Sequence, residues 1–83
     1  MLVLRRRIGE SFALGNKSEL TLEYVKNNSV AYFRYKSRDE SFRVVMNRGT
    51  SMYIDGVCVF LIETGITRVK LEVERVKTPI RRS

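Results

Sequence analysis

Histidine is missing from this chain of 83 residues, and cysteine and proline occur once each. The lack of histidine removes the commonest general base and, with a single thiol, the usual zinc sites and any disulfide. Cys58 has no activating partner in view, and a thiol without one is a poor nucleophile. Asp39 with Glu40, and Glu72 with Glu74, read as surface charges rather than as paired acids and bases. No glycine-rich loop offers to cradle a phosphate. The sequence therefore predicts no enzyme, no metal and no cofactor. Long apolar runs are absent as well. The longest, residues 57–62, has the length of a strand, which predicts neither a membrane span nor a signal peptide. It contains Cys58, expected as a buried thiol in a reducing, cytoplasmic setting. No stretch of useful length carries apolar residues at helical spacing.

What the chain has instead is alternation with period two. Residues 2–4 form an apolar strand that runs into Arg5, Arg6 and Arg7. Ile8, Gly9 and Glu10 then make a tight turn, and residues 11–14 begin a second strand. Residues 19–26 alternate, with Leu20, Leu22 and Tyr24 expected on one face and Thr21, Glu23 and Val25 on the other. Asn27 and Asn28 mark a hairpin, because asparagine tolerates positive φ. Residues 30–36 are rich in aromatic and β-branched side chains. Beyond a polar turn at 37–40, residues 41–47 place Phe42, Val44 and Met46 on one face. Residues 51–54 and 57–63 flank an Asp55-Gly56 turn, and the second of these is apolar on both faces, hence central in a sheet. Residues 68–74 turn Val69, Leu71 and Val73 inward. A last strand within residues 75–83 would be confined to an edge by Pro79. The expectation is a single all-β domain over residues 1–83: a compact sandwich or barrel of seven to nine short, mostly antiparallel strands. A chain this short buries only about 60% of its unfolded surface, so strands shared between halves or subunits would support it.

Charge is segregated along the sequence. The net charge of +7 resides in the ends, with Arg5, Arg6 and Arg7 at one and Arg75, Lys77, Arg81 and Arg82 at the other. Residues 9–74 carry nine basic and nine acidic side chains. Ends that meet would make one basic patch on a neutral body, the footprint of a polyanion site; the alternative is two separate basic ends. Within the arginine strand, Leu4 and Arg6 share one face while Arg5 and Arg7 share the other. Three arginines on a strand cannot all be buried, and such a strand also protects a sheet edge from aggregation.

The opening Met1-Leu-Val-Leu-x-Arg-Arg-x-Gly-Glu-x-x-x-Leu-Gly15 resembles the start of the carbon storage regulator family (CsrA/RsmA), small bacterial proteins that bind messenger RNA. Met1, Leu2, Leu4, Arg6, Arg7, Gly9, Glu10 and Gly15 stand at family positions, while Arg5 replaces a small hydroxyl residue. Val25-Lys26-x-Asn28-x-Val30 resembles the family's third turn. Asp55-Gly56-Val57 and residues 69–74 resemble its third and fourth strands, and Lys77-Thr-Pro-Ile-Arg-Arg82 its fifth. The Ala-Pro before that last strand is replaced by Arg75-Val76, and the family's C-terminal helix is not expected here. The resemblance implies intertwined sheets that hold GGA-containing single-stranded loops between a first and a last strand. Leu4, Arg5, Arg6 and Arg7 would form one edge, and Lys77, Ile80, Arg81 and Arg82 the other, with Lys70 nearby. It implies a post-transcriptional regulator that alters translation or stability of messenger RNA, a small regulatory RNA being a further partner. The alternative is a protein-interaction adaptor or antagonist on the same scaffold. Arginine forks suit phosphates and guanine O6/N7. Tyr24, Tyr32, Phe33 and Tyr35 read either as stacking platforms or as core and sheet-face residues.

Spacing also suggests an internal repeat. Gly9 and Gly49, Ser11 and Ser51, and Leu14 and Ile54 are forty residues apart; Leu20 and Val59, Leu22 and Leu61, and Val30 and Val69 are thirty-nine apart. Two four-strand copies, 1–40 and 41–83, would account for this, as would evenly spaced strands matching by coincidence. Because the family is a homodimer, the copies resemble two subunits joined head to tail, and the chain is either a pseudo-dimeric monomer or a homodimer. The same offset sets Arg5, Arg6 and Arg7 against Val45, Met46 and Asn47. One RNA site per chain is the expectation.

Overall fold

Tight turns cut the alternating sequence into strands. Gly9 and Gly49 take φ of +95° and +86°; the paired positive φ of Asn27 with Asn28 closes a three-residue loop with Ser29, and that of Asp55 with Gly56 a two-residue hairpin whose twist matches that of the flanking strands. The computed structural model describes residues 2–75. It contains β1 (Leu2–Arg7), β2 (Ser11–Ala13), β3 (Ser18–Lys26), β4 (Val30–Ser37), β5 (Ser41–Asn47), β6 (Ser51–Ile54), β7 (Val57–Thr64) and β8 (Arg68–Arg75). All pairings are antiparallel, in two four-stranded sheets of order β1-β8-β7-β6 and β2-β3-β4-β5. The all-β sandwich expected from the alternation is what forms. The expected last strand, and with it Lys77, Ile80, Arg81 and Arg82, lies outside the described residues. No helix of the described residues is long and apolar enough to cross a membrane.

One core lies between the sheets. Leu20, Leu22 and Phe33 meet Val59, Leu61, Val69 and Leu71, each no more than 2% exposed. Burial of each such side chain stabilises the fold by about 1.5–3 kcal/mol. Phe12 of β2 meets Phe33 edge-on, with ring centroids 6.5 Å apart. As expected, β7 lies inside its sheet, and Val69 and Leu71 point inward, with Val73 packed against the core. Cys58 departs from expectation: it sits on the outward side of β7 and is half-buried rather than buried.

The two sheets are built to one plan. Advancing each strand of the first sheet by four, around the set of eight, reproduces the order of the second. In each, the leading strand comes from the other half of the chain: β1 pairs with β8, and β5 with β4. The turns repeat as well. Gly9 N–H donates to Leu22 O and Leu22 N–H to Glu10 O, at 2.7 and 3.0 Å; Gly49 N–H donates to Leu61 O and Leu61 N–H to Thr50 O, at 2.8 and 3.0 Å. Both β3 and β7 carry a bulge just beyond these leucines, at Leu22/Tyr24 and Leu61/Glu63.

The bulge in β3 reverses its alternation. An unpaired extra residue shifts everything after it to the other face. Val25 is therefore 7% exposed and in the core, whereas Tyr24, expected beside Leu20 and Leu22, is 55% exposed on the outer face.

Candidate nucleic-acid interface

The arginine strand β1 is the edge of its sheet and pairs with β8 along its whole length. Its side chains divide as their alternation requires. Leu4 stands opposite Leu71 and packs against the core. Arg6 follows it inward at the rim, where its Nε donates to Ser11 O at 2.9 Å and its Nη1 to Arg5 O at 2.8 Å. Its guanidinium lies 6.0 Å from the centre of the Phe12 ring. Arg6 is thus a tie between β1 of one sheet and β2 of the other. The structure does not group Leu4 and Arg6 with the outward cations.

Arg5 and Arg7 face outward and are exposed. Directly across the ladder, Arg5 meets Lys70 and Arg7 meets Arg68. Arg68 was not singled out by the sequence, although its two-residue spacing from Lys70 on a strand is enough to place both on one face. Four cations therefore stand in two like-charged cross-strand pairs. Glu63 flanks Lys70 on β7, and Glu72 stands opposite Val3. Even so, the ion pairs among the described residues are those of Arg34 and Arg43 with Glu23, at 3.3 and 3.9 Å. Like charges directly opposite one another destabilise a sheet. Among the described residues, none of the four cations makes an ion pair.

The turn beside the cluster is fixed by the Gly9-Glu10 pair. Glu10 Oε1 accepts from Arg7 N–H at 2.8 Å, and Glu10 N–H donates to Arg7 O at 2.9 Å. Ile8 N–H donates to Thr67 O at 2.9 Å, which holds this turn against the start of β8. The backbone carrying Arg7 is thereby pinned to the backbone carrying Arg68. Among the described residues no group of three or more His, Cys, Asp or Glu is placed to hold a metal ion.

A second polar cluster lies where the β2–β3 and β6–β7 turns meet. Asp55 Oδ2 accepts from Ser18 Oγ at 2.5 Å and from Tyr35 Oη at 2.6 Å. These two bonds, that from Ser18 first, hold the Asp55 carboxyl below its ordinary pKa. The bond to Asp55 raises the Tyr35 phenol above its own. The cluster floors an open cleft of about 860 Å³ rimmed by Lys17, Arg38, Asp39 and Arg75. Its charges are mixed in sign, and its hydrogen bonds are already mutually satisfied. Its role is to join β3 and β4 of one sheet to the β6–β7 turn of the other.

Of the four aromatic residues weighed as platforms, Phe33 and Tyr35 are buried. Tyr24 and Tyr32 stand on the outer face of the second sheet, ring centroids 5.8 Å apart.

Comparison with protein-family models, with curated proteins and with solved structures gives no match. The site rests on its own geometry.

Proposed function

We propose that this chain binds single-stranded RNA through the outer end of β1 and β8, and that it acts in the cytoplasm on messenger RNA as a post-transcriptional regulator. The observation that carries the reading is the double like-charge pair, Arg5 with Lys70 and Arg7 with Arg68. Four phosphate-directed cations on one patch, destabilising to the free fold, are relieved when a polyanion supplies the missing charge. Guanidinium forks at Arg5 and Arg7 suit bidentate contact with phosphate or with guanine O6/N7, and a splayed base stacks on a guanidinium plane. The preference for a GGA-containing loop comes from the resemblance of residues 1–15 to the carbon storage regulator family. The common plan of the two sheets supports a further part of the proposal: the halves are copies of one unit, and the chain is a single-chain counterpart of a homodimer.

An electrophoretic shift series tests this with a GGA hairpin, a hairpin of scrambled loop and duplex DNA. The GGA hairpin should shift at the lowest protein concentration, and a protein carrying Arg5→Glu and Lys70→Glu should lose that shift. Equal weak binding of all three nucleic acids would reduce the site to a general anion patch. No shift at all would favour a protein partner.

A further inference from the structure

Strand register shows that one position in the fold carries two different chemistries. In the first sheet, Arg5, Lys70 and Glu63 form one cross-strand row. The corresponding row of the second sheet, one residue past the equivalent bulge, is Val45, Tyr32 and Tyr24. Where one sheet carries charge, the other bears two aromatic rings and a valine. Tyr24 and Val45 are 55% and 53% exposed, and Tyr32 between them is half-buried. The β3 bulge is what turns Tyr24 out, beside Tyr32, with ring planes inclined by 49°. Arg43 lies over the Tyr32 ring, its guanidinium carbon 5.7 Å from the centroid. Lys26, Glu23 and Arg43 border the shallow hollow that the two rings line.

We infer that this outer face of β3, β4 and β5 is a second, independent nucleic-acid site, which takes unpaired bases by stacking on Tyr24 and Tyr32. A cross-strand tyrosine pair stabilises any sheet, but that role does not call for a guanidinium, an ammonium and a second guanidinium around it. Lys26, Arg34 and Arg43 surround the rings with Glu23 as the one local carboxylate, so the patch carries net positive charge. That balance selects the occupant. A second copy of this chain, itself at +7, would bring like charge onto like. An apolar protein surface would leave the positive excess over Glu23 uncompensated. A single strand supplies flat π-faces for the rings and phosphates for Lys26 and Arg43. Such a surface tolerates any base, because every base has a face to stack, whereas the β1–β8 end is an edge site of cations. The inference shares with the proposed function only the class of ligand.

Fluorescence anisotropy with two labelled probes tests it: an adenine-rich single-stranded RNA decamer, and an abasic decamer of the same length and charge. The full chain should bind the intact decamer more tightly than the abasic one. Tyr24→Leu with Tyr32→Leu should weaken the intact decamer at least about fivefold and leave the abasic decamer unchanged. A chain carrying Arg5→Ala and Arg7→Ala should lose affinity for both probes yet keep its preference for the intact one. The unmutated chain binding both probes equally would overturn the inference, even if the leucine variant failed to fold. So would a base preference that vanishes with Arg5 and Arg7, since bases would then be held at the first site. A dimer in sedimentation that dissolves on Tyr32→Leu alone would assign the face to a second copy instead. Equal binding of both probes by the unmutated chain, with binding through Arg5 and Arg7 intact, overturns this inference and leaves the proposed function standing.

Discussion

Arg6 and Arg5 are neighbours with opposite tasks. Arg6 gives its head to two backbone carbonyls and a phenylalanine ring, joining the sheets at their rim. Arg6→Ala should lower unfolding free energy by about 1–2 kcal/mol, as read from urea denaturation. Arg5→Ala should leave stability within about 0.5 kcal/mol of the parent, because it removes an exposed charge facing Lys70. Asp55 is a third residue with a separable role. Its φ of +51° is a conformation asparagine tolerates, so Asp55→Asn keeps the turn while removing the charge that Ser18 and Tyr35 address. Near pH 7 the substitution should cost about 1 kcal/mol, a modest figure because the carboxylate is exposed. Since the folded pKa of Asp55 lies below the unfolded 3.8, its contribution is present above that value and fades as pH falls through the folded one. The gap between parent and variant should therefore close in acid, which denaturation at pH 7 and pH 3 would measure. For Tyr35, raised above 10.0, the contribution is complete below pH 10 and fades in stronger alkali.

Among the strands, β3 shows what a bulge does to a surface. Val25→Ala should cost about 2 kcal/mol, since it opens space in the core, whereas Tyr24→Ser should cost under about 1 kcal/mol. An unbulged strand would reverse that order, so a pair of urea midpoints decides it. The same strand marks how far the sequence could be read. Alternation of Leu20 and Leu22, the asparagine pair and the Asp55-Gly56 turn identify strands and hairpins, because those signals are local. The parity of Tyr24 and Val25 is not local: Glu23 enters as an unpaired residue only once β4 has set the register. The pairing of β1 with β8 rather than with β2 is likewise invisible to periodicity. Alternation did place Leu4 and Arg6 on the face opposite Arg5 and Arg7, as the structure has them, although all four were expected on one RNA-binding edge. Arg68 escaped because the local balance of acids and bases hid it. The Ser18–Asp55–Tyr35 cluster escaped because its members come from three separate segments.

For the whole molecule the proposal is quantitative in salt. Four outward cations engaging four phosphates of a single strand give a slope of log affinity against log salt of about −3. A slope near zero would rule out the β1–β8 end as the main contact. Titration of the GGA hairpin should show one high-affinity hairpin per chain, because the row matching Arg5 and Lys70 in the other sheet is Val45 and Tyr32, and any hairpin on the tyrosine face should add only as a weaker second step. The exchange of leading strands between the sheets also bears on how the protein is made. Strand β1 leaves the ribosome first, yet the ladder it completes requires β8, the last described strand to emerge. Until then, the arginines hang on an unpaired segment, and the two like-charged rows do not exist. Synthesis therefore orders assembly: a nascent chain carries the basic residues of β1 from the outset, and the proposed site is complete only once β8 has paired with it.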